Sequence, residues 1–231
     1  MPEEKLRDAS FTGVSIIVPL LNEAASIGEL IEHLNTLDAE QVIVVDGGSS
    51  DATAALMKEA GFDVVQSAPS RAKQMNLGAS KATQSTLLFL HADTQLPLNY
   101  KQELAKASVW GRFDVRFNSR SISMQVIAFF MKWRSRFSSV ATGDQAIFVD
   151  KAVFDSINGF PDYPIMEDVA FCKRMRQLYR PYNSSLCVIT SARRWQQNGV
   201  ISTVLKMWWY RLAFFLGVSP LKLKKSYSDV R

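Results

Sequence analysis

Leu87-Leu88-Phe89-Leu90-His91-Ala92-Asp93 is the stretch that decides the fold of this 231-residue chain. Four consecutive apolar residues predict a strand that is buried on both faces, as in a parallel sheet. The strand then runs into a carboxylate, Asp93, with an imidazole two residues before it. Ligands of open α/β sheets bind just beyond the carboxyl ends of the strands, where a carboxylate can hold a divalent cation on a phosphate. A turn or helix cap is the alternative interpretation of Asp93.

Two earlier strands end in polar turns of the same kind. Gln41–Val45 is apolar and β-branched, and it runs into Asp46-Gly47-Gly48-Ser49-Ser50-Asp51-Ala52-Thr53. Val14–Val18 is a similar run that leads into Pro19-Leu20-Leu21-Asn22-Glu23. Glycine lets the backbone approach a ligand closely, and Ser or Asp can cap a helix whose exposed N–H groups bind an anion. A Gly-rich turn with an ordinary helix cap is the alternative interpretation.

Helices are predicted between these strands. Apolar residues recur at i, i+3, i+4 and i+7 over 27–34, and Ser26 and Glu29 have capping-box spacing. A short strand is predicted at Asp63–Gln66, followed by a helix with a basic start at Arg71–Ala79. Strands that alternate with helices predict an α/β fold with a mostly parallel sheet and helices on its faces.

Length and composition agree with a globular α/β protein. The apolar content of 47% is enough for a substantial core, and 231 residues fit one large domain or a domain with an appendage. Cys172 and Cys187 show neither metal-ligand spacing nor a disulfide framework, which favours a reducing compartment. Residues 1–13 are charged and polar and lack the apolar core of a signal peptide.

The net charge of +5 does not predict a nucleic-acid partner. The basic residues are spread along the chain, and no Arg/Lys stripe interleaves with aromatic residues as a base-stacking groove requires. Phosphates on a small substrate, or lipid headgroups, explain a modest positive charge equally well.

The C-terminal half contains a second carboxylate motif. Ala146–Val149 is predicted as a strand, and Lys151–Ile157 as a short helix closed by Asn158-Gly159. Glu167-Asp168 then stands at the start of another helix. Carboxylates at a helix N-terminus are stabilised by the dipole by about 0.3–1 kcal/mol, and the functional alternative is a general base at the mouth of a site. Trp110–Arg116 alternates apolar and polar residues, which predicts a strand near the acceptor side of such a site.

These motifs resemble those of the family-two glycosyltransferases of the GT-A fold, over roughly Val14 to Trp195. The motifs that carry the resemblance are Pro19-Leu20-Leu21-Asn22-Glu23, Asp46 to Thr53, Arg71 to Gly78, Ala92-Asp93, and Gly159-Phe160 with Glu167-Asp168. In that order they resemble the family's Pro-x-x-Asn-Glu turn, its Asp-x-Gly-Ser-x-Asp-x-Thr nucleotide loop, its Asn-x-Gly helix, its Asp-x-Asp metal motif and its Gly-Gly-Phe…Glu-Asp pattern. Five motifs in the same order make the resemblance specific.

Within that family the chain resembles the branch named as arsenosugar-biosynthesis-type glycosyltransferases. The resemblance rests on the Arg-Ala-x-Gln-Met-Asn-x-Gly-Ala helix, the Phe-Leu-His-Ala-Asp-Thr strand end and Thr142-Gly143-Asp144-Gln145. Such a name fixes no substrate.

The resemblance implies a Rossmann-like GT-A domain over residues 1–200, with a nucleotide-binding half at about 14–95 and an acceptor half at about 96–200. A helical extension would follow over residues 201–231. The implied reaction is the metal-dependent, inverting transfer of a sugar from a nucleotide-diphospho-sugar to an unknown acceptor hydroxyl. UDP is the favoured nucleotide, and no oligomeric state is implied.

Site residues follow from the same resemblance. Asp168 would be the catalytic base, and Asp93 would hold Mg²⁺ or Mn²⁺. Asp46 would contact the nucleobase or ribose, with Glu23 and Arg71 lining the same pocket. The other residues expected at the nucleotide are Pro19, Asn22, Gly47, Ser49, Asp51, Gln74, Asn76, Gly78, His91 and Ala92. Those expected at the acceptor or the diphosphate are Asp144, Gln145, Glu167, Arg194 and Trp195.

Two positions depart from the family pattern. The family has Asp where this chain has His91, so a neutral imidazole would contact a hydroxyl, join the metal shell or simply be buried. Ser191 replaces the Gln of the Gln-x-x-Arg-Trp motif of processive synthases, so processive polymerisation is not predicted. Arg194 retains a guanidinium that matches phosphate geometry, although a plain basic strand end is the alternative.

The apolar stretches Met124–Met131 and Val204–Val218 do not predict a spanning helix. A spanning helix needs about 20 largely apolar residues, and these stretches are shorter or are interrupted by Lys206 and Arg211. Trp208-Trp209-Tyr210 beside basic residues is typical of an interfacial helix, and packing in a core or a dimer is the slightly favoured alternative. The expectation is a cytoplasmic protein, with contact to an anionic membrane at its inner face left open.

Two rival functions remain at this point. A sugar-phosphate nucleotidyltransferase also combines an α/β nucleotide-binding sheet with Mg²⁺, but it begins with a Gly-rich basic segment that residues 14–23 lack. A non-catalytic nucleotide-sugar-binding or membrane-surface protein would not need the Glu167-Asp168 pair.

Overall fold

The protein is described over residues 13–227 by a computed structural model. Its strands are β1 Val14–Leu20, β2 Gln41–Asp46, β3 Asp63–Gln66, β4 Thr86–Phe89, β5 Thr94–Gln95, β6 Trp110–Phe117, β7 Phe148–Asp150 and β8 Tyr182–Thr190. Its α-helices are α1 Ile27–Thr36, α2 Thr53–Glu59, α3 Arg71–Lys81, α4 Tyr100–Leu104, α5 Ile122–Ser138, α6 Lys151–Ser156, α7 Glu167–Leu178, α8 Arg193–Asn198, α9 Val200–Phe215 and α10 Pro220–Ser226.

The eight strands form one mixed sheet in the order β3-β2-β1-β4-β7-β6-β8-β5. The first four are mutually parallel, and β6 and β8 are parallel to each other. β7 is antiparallel to both of its neighbours, and β5 is antiparallel to β8. This arrangement confirms the predicted GT-A-like α/β fold with a mostly parallel sheet.

Helices cover both faces of the sheet, and therefore its central strands read as continuous apolar runs. Alternate residues of β1 enter different clusters, with Ile16 and Val18 on the side of α1 and Ile17 on the side of α3. α3 lies unusually close to the sheet at Gly78, where a Cβ atom would stand 2.4 Å from Cγ2 of Ile17. A side chain at position 78 would therefore force the helix away from the strands.

The strand predicted at Trp110–Arg116 is confirmed as β6, although its alternating sequence is not matched by alternating burial. Seven of its eight residues are buried, including Arg112 at 2% and Asp114 at 1% exposure, and Arg116 is the exposed one. The carboxylate of Asp114 forms ion pairs with Arg112 at 2.8 Å and with Arg136 of α5 at 2.9 Å. Polar residues in this strand are thus buried because they are paired, which simple alternation does not anticipate.

Two local predictions also need correction. The Ser26 hydroxyl does not cap α1 but bonds to the carbonyl and carboxylate of Glu23. A capping box occurs instead in the 3₁₀ turn Gly143–Gln145, where the side chains of Thr142 and Gln145 each accept from the main-chain N–H of the other residue. The strand expected from Ala146 starts only at Phe148, because Ala146 has a left-handed backbone with φ of 45°.

A C-terminal helical region follows the sheet. α9 packs through Tyr210 and Ala213 against Ile165, just before α7, and against Leu223 of α10. Among the helices within residues 13–227, none has both the length and the apolar character needed to cross a membrane. Cys172 and Cys187 are both free thiols, as the sequence predicts.

Candidate functional site

The loops after β1 and β2 are tied together by side-chain hydrogen bonds. Oδ1 of Asn22 accepts from the main-chain N–H of Ser50 at 2.8 Å, and the N–H of Asn22 donates to Oγ of Ser49 at 2.9 Å. The N–H of Glu23 donates to Oγ1 of Thr53 at 2.8 Å. Asn22 has a left-handed backbone with φ of 54°, a conformation that Asn tolerates better than most residues. The two predicted nucleotide loops therefore form a single rigid unit.

Asp46 organises the second of these loops. It is 1% exposed, and its Oδ2 accepts from the N–H groups of Gly48 and Ser49, both at 3.0 Å. Its Oδ1 accepts from the hydroxyl of Ser49. Asp51 accepts in the same way from Thr53, and those bonds lower the pKa of Asp51. Both carboxylates shape the loop, and the expected contact of Asp46 with a nucleobase or ribose stays a prediction.

Gln74 lies beneath the loops and holds the ends of β1 and β2. It is 2% exposed, and its amide donates to the carbonyls of Leu20 at 2.7 Å and Val45 at 2.8 Å. A Cβ atom on Gly47 would stand 3.0 Å from this amide. Gln74 therefore holds the two strand ends through both of its N–H donors, and its expected contact with the nucleotide stays a prediction.

Asn76 performs a similar role towards the C-terminal half. Its amide donates to the carbonyl of Phe160 at 2.8 Å, and its Oδ1 accepts from the N–H of Phe160 at 2.9 Å. Gly159 precedes this residue with φ of 61°. Through Gln74 and Asn76, and through the close packing at Gly78, helix α3 holds the strand ends at Leu20 and Val45 and the loop at Phe160 in place. Nucleotide contact by Asn76 or Gly78 would be indirect.

His91 lies against the turn that contains Gly143. A Cβ atom on Gly143 would stand 2.2 Å from Nε2 of His91, so only glycine fits there. Burial, with the positive charge of Arg71, lowers the pKa of His91 to about 3. The imidazole is therefore neutral near pH 7, and whether it contacts a hydroxyl, joins the metal shell or is simply buried stays a prediction.

Asp168 is held by the same turn. Its Oδ2 accepts from the N–H of Gly143 at 3.0 Å, and its Oδ1 accepts from the N–H of Val169 at 2.7 Å. The residue before its helix, Met166, is a non-glycine with φ of 66°, a strained conformation that is frequent at functional sites. Burial raises the pKa of Asp168, with Asp144 acting in the same direction, although the two N–H bonds and Arg211 oppose the rise. A carboxylate with a raised pKa is a stronger base.

Asp93 is exposed in a cleft that Ser26, Asn118 and Arg193 also line. Desolvation of its carboxylate by the surrounding protein raises the pKa of Asp93. The charges of Asp144 and Glu23 act in the same direction, and the charge of Arg71 opposes the rise. The tertiary structure thus brings three predicted site carboxylates and a predicted site arginine near one another.

These carboxylates fit a divalent cation that is shared with a ligand. Within the described residues 13–227, no three His, Cys, Asp or Glu side chains form a complete metal site. Mg²⁺ is usually bound by one or two carboxylates together with substrate phosphates and water. Asp93 and Asp144, which repel each other's charge, are the residues that would hold such an ion.

Three arginines of the site were missed by the sequence analysis. Nη2 of Arg193 lies 3.6 Å from a carboxylate oxygen of Glu23. Arg134 and Arg211 lie near Asp144 and Asp168, whose charges act on the pKa of both arginines. One signal was available for Arg211, because a cation inside the apolar helix 200–215 needs a partner or a function.

Several residues expected at the acceptor, the diphosphate or the nucleotide make contacts within the protein. Gln145 is 0% exposed, and its Oε1 accepts from Ser135 and from the N–H of Thr142, both at 3.0 Å, while its expected contact with the acceptor stays a prediction. Trp195 packs edge-on against Phe117 at 5.9 Å. Glu167 is buried at 6% exposure, and Ala92 packs against the core. The side chain of Arg194 lies outside the described part of the chain.

A family model places the chain among known proteins. The model described as glycosyl transferase family 2 matches residues 15–151, which is more than half of the chain. Among curated proteins, no match is found. Nothing in these comparisons supports the arsenosugar-type branch.

Solved structures show the same fold at low sequence identity. S. aureus TarS in complex with UDP-GlcNAc superposes with a TM-score of 0.62 at 18% identity, over 78% of this chain and 58% of that chain. The mannosyltransferase PcManGT from Pyrobaculum calidifontis, in complex with GDP-Man and Mn²⁺, gives a TM-score of 0.65 at 17% identity, over 94% and 65%. Glucosyl-3-phosphoglycerate synthase from Mycobacterium tuberculosis, in complex with Mg²⁺ and UDP, gives 0.56 at 14% identity, over 80% and 73%. The chain spans less than two thirds of the length of TarS and PcManGT.

The family match covers the predicted nucleotide loops and Asp93. The chain therefore belongs to glycosyl transferase family 2.

Proposed function

We propose that this glycosyltransferase moves a sugar from a nucleotide-diphospho-sugar to an acceptor hydroxyl, with Asp168 as the general base. The observation that carries the proposal is the fixed position of Asp168. Two main-chain N–H groups orient its carboxylate, and its raised pKa suits a group that must accept a proton.

In the proposed step, the acceptor oxygen forms a bond to the anomeric carbon while the bond from that carbon to the diphosphate breaks. The hydroxyl proton passes to Asp168, and the electron pair of the broken bond leaves with the nucleoside diphosphate. Direct attack on the face opposite the leaving group inverts the anomeric centre. No covalent sugar–enzyme intermediate is needed.

The donor would bind at the joined loops after β1 and β2, and UDP is the favoured nucleotide. TarS with UDP-GlcNAc and PcManGT with GDP-Man support a nucleotide-sugar donor without deciding its base. Pro19, Asn22, Gly47 and Ser49 would contribute backbone and loop shape there. Arg71 would add positive charge near Asp93.

Asp93, with Asp144, would hold Mg²⁺ or Mn²⁺ on the diphosphate. A bound divalent cation supplies charge neutralisation to the leaving diphosphate. The N–H groups of Gly143 and Val169, with the charge of Arg211, would favour the ionised form of Asp168. Residues 1–200 remain the proposed catalytic domain and 201–231 the proposed extension.

The test of donor use is a thermal-shift panel of UDP, GDP, CMP and dTDP with and without Mn²⁺. A ligand at about 100 times its Kd stabilises a protein by roughly 2.7 kcal/mol. We expect a metal-dependent shift with one nucleotide, lost in Asp93→Ala. No shift with any nucleotide would contradict donor binding and favour a non-catalytic surface protein.

The test of catalysis compares Asp168→Asn with Asp155→Asn, a control on the exposed end of an ion pair with Lys151. Loss of a general base reduces turnover by about 10²–10⁴-fold. We expect Asp168→Asn to retain nucleotide binding and to lose release of nucleoside diphosphate from the donor. With added pyrophosphate, conversion of the donor to nucleoside triphosphate and sugar 1-phosphate would instead indicate a nucleotidyltransferase.

We also propose that the protein is cytoplasmic and docks on the inner face of an anionic membrane. Many large apolar side chains on α5, α9 and α10 are exposed. On α5 they are Ile122, Val126, Phe129, Phe130, Trp133 and Phe137. On α9 and α10 they are Ile201, Leu205, Trp208, Trp209, Leu212, Phe215 and Leu221. We call these two sets the apolar faces.

Charge complementarity selects the occupant of the apolar faces. Residues 115–143 contain no Asp or Glu, and neither do residues 169–227. Basic residues are frequent in both segments, with Lys206, Lys222, Lys224 and Lys225 on α9 and α10. Aromatic residues beside Lys and Arg, without acidic residues, are typical of helices that lie in the interface of an anionic bilayer.

Vesicle sedimentation tests the membrane proposal. Anionic phosphatidylglycerol vesicles should retain the protein at low salt more than neutral phosphatidylcholine vesicles do. Trp208→Ser/Trp209→Ser should reduce retention, and the control Leu98→Ser, an exposed apolar residue elsewhere, should not. Absent retention, or a dimer in light scattering that buries the apolar faces, would overturn it.

A further inference from the structure

The basic residues of helix α5 lie on different faces of the helix, and one face is anchored to a buried carboxylate. Lys132 and Arg136, one turn apart, both pair with the buried carboxylate of Asp114, at 3.2 and 2.9 Å. Arg134 lies between them in sequence and therefore on a different face of the helix. Its side chain is free of the Asp114 cluster and turns towards the site.

The guanidinium of Arg134 lies beside the turn that holds the base. Its Nη2 stands 3.3 Å from Oγ of Ser135 and 3.4 Å from Oγ1 of Thr142, the residue before Gly143. Its Nε is inaccessible to solvent and has no hydrogen-bond partner in the described part of the chain. Burial lowers the pKa of Arg134 to about 10. A buried donor without a partner is costly unless a ligand satisfies it.

Arg211 approaches the same place from α9. Its neighbours Tyr210 and Ala213 pack against Ile165, three residues before Asp168. Burial lowers the pKa of Arg211, and the charges of Asp168 and Asp144 act in the opposite direction. Arg134 of α5 and Arg211 of α9 thus both lie where the charges of Asp168 and Asp144 act on them.

Neither arginine is neutralised by a direct ion pair. Across residues 13–227, no carboxylate oxygen lies within 4.0 Å of a side-chain nitrogen of Arg134 or Arg211. The oxygens of Asp168 already accept main-chain N–H groups, and Oδ1 of Asp144 accepts the hydroxyl of Thr142. Two guanidinium groups with spare donors match the oxygens of a phosphate.

We propose that Arg134 and Arg211 bind a phosphate group of the acceptor, next to Asp168. The inference rests on the proposed transfer reaction and names its acceptor class, a hydroxyl compound that also carries a phosphate ester. Binding of the phosphate would place the hydroxyl near the base, and productive positioning of this kind accelerates reaction strongly. The phosphate can belong to a soluble compound or to a lipid headgroup.

The site is tested by measuring the affinity of the full chain for glycerol 3-phosphate by calorimetry. Glycerol, which lacks the phosphate, is the control ligand. Arg134→Gln and Arg211→Gln should each weaken binding about tenfold or more, because a hydrogen bond to a charged group contributes about 1.5–3 kcal/mol. Lys58→Gln, which removes an exposed charge on α2, should leave the affinity within about twofold. Arg134→Lys and Arg211→Lys keep the charge and should bind with intermediate affinity, which guards against misfolded Gln variants.

Vesicles separate the two sources of phosphate. If the acceptor is a lipid, phosphatidic acid in phosphatidylcholine vesicles should bind in an arginine-dependent way, and glycerol 3-phosphate should bind weakly. If it is soluble, only glycerol 3-phosphate should show that dependence. No arginine-dependent binding in either arm overturns the inference. Nucleotide binding by the same variants should be unchanged, so that failure of donor binding would be recognised separately as failure of the proposed reaction.

Discussion

The main-chain N–H of Gly143 donates a 3.0 Å hydrogen bond to Oδ2 of Asp168. These residues are 25 positions apart, and the bond joins the turn after α5 to the first turn of α7. The other side of Gly143 faces the His91 imidazole, with no space for a side chain. The orientation of the proposed base therefore depends on the contact between a glycine and a neutral histidine.

Gly143→Ala should misplace the base. Its methyl group would lie 2.2 Å from Nε2 of His91, so the ring or the turn must move. A displacement of about 1 Å can cost about 10²-fold in rate. We expect a large loss of nucleoside diphosphate release, partly restored by adding His91→Ala. Gly28→Ala, where no atom lies within 4 Å of the new methyl group, is the control and should keep full activity. An active Gly143→Ala single variant would contradict this role.

The activity should have an acidic limb set by Asp168. Its pKa is raised by burial, so kcat/KM should rise with pH through that raised value and level off above it. Arg211 opposes the rise of this pKa, and Arg211→Gln should therefore move the limb to higher pH. A pH profile of the wild type, Arg211→Gln and Lys206→Gln measures this. An unmoved limb in Arg211→Gln would rule out the electrostatic link.

His91 should make the fold sensitive to acid. Its pKa is about 3 in the folded protein and 6.5 by default, so the unfolded chain binds one more proton between these values. The free energy of unfolding should fall by up to about 1.4 kcal/mol per pH unit as the pH decreases through this window. Urea denaturation of His91→Asn at several pH values should show a smaller slope. A residual slope is expected from His33, whose pKa burial also lowers. An unchanged slope would mean that His91 is protonated in the fold.

Gln74→Leu should destabilise the nucleotide loops. The change removes the amide donor from the carbonyls of Leu20 and Val45. Because the carbonyl of Leu20 still accepts from the N–H of Gly47, the expected cost is that of the lost hydrogen bonds, about 0.5–1.5 kcal/mol each. Urea denaturation should show this loss, together with weaker nucleotide binding in thermal shift. The control Gln177→Leu, on the exposed face of α7, should change neither measurement. Equal stability of the two variants would show that Gln74 does not hold the strand ends.

The strands of the nucleotide half could be predicted from local patterns, because burial on both faces requires continuous apolar runs such as 87–90. The polar strand ends could also be predicted, since ligands of such sheets bind there. Strand β6 was also predicted, but the burial of Asp114 within it was not, because that burial depends on Lys132 and Arg136 from a helix that follows later in the chain. Gln74 was expected at the ligand for a related reason, as a polar residue in a signature gives no indication of which way it faces.

The sequence by itself determined the α/β fold, the family resemblance and the choice of Asp93 and Asp168 as the central carboxylates. These follow from order and spacing along the chain, which local physics translates into strands, turns and helix starts. Tertiary packing added that Gly143 orients Asp168, that Gln74 and Gln145 bond within the scaffold, and that Arg134 and Arg211 lie near the base. The bond between Gly143 and Asp168 joins residues 25 positions apart, and those of Gln74 join residues 29 and 54 positions apart, so packing between elements, rather than sequence periodicity, fixes which of them come into contact.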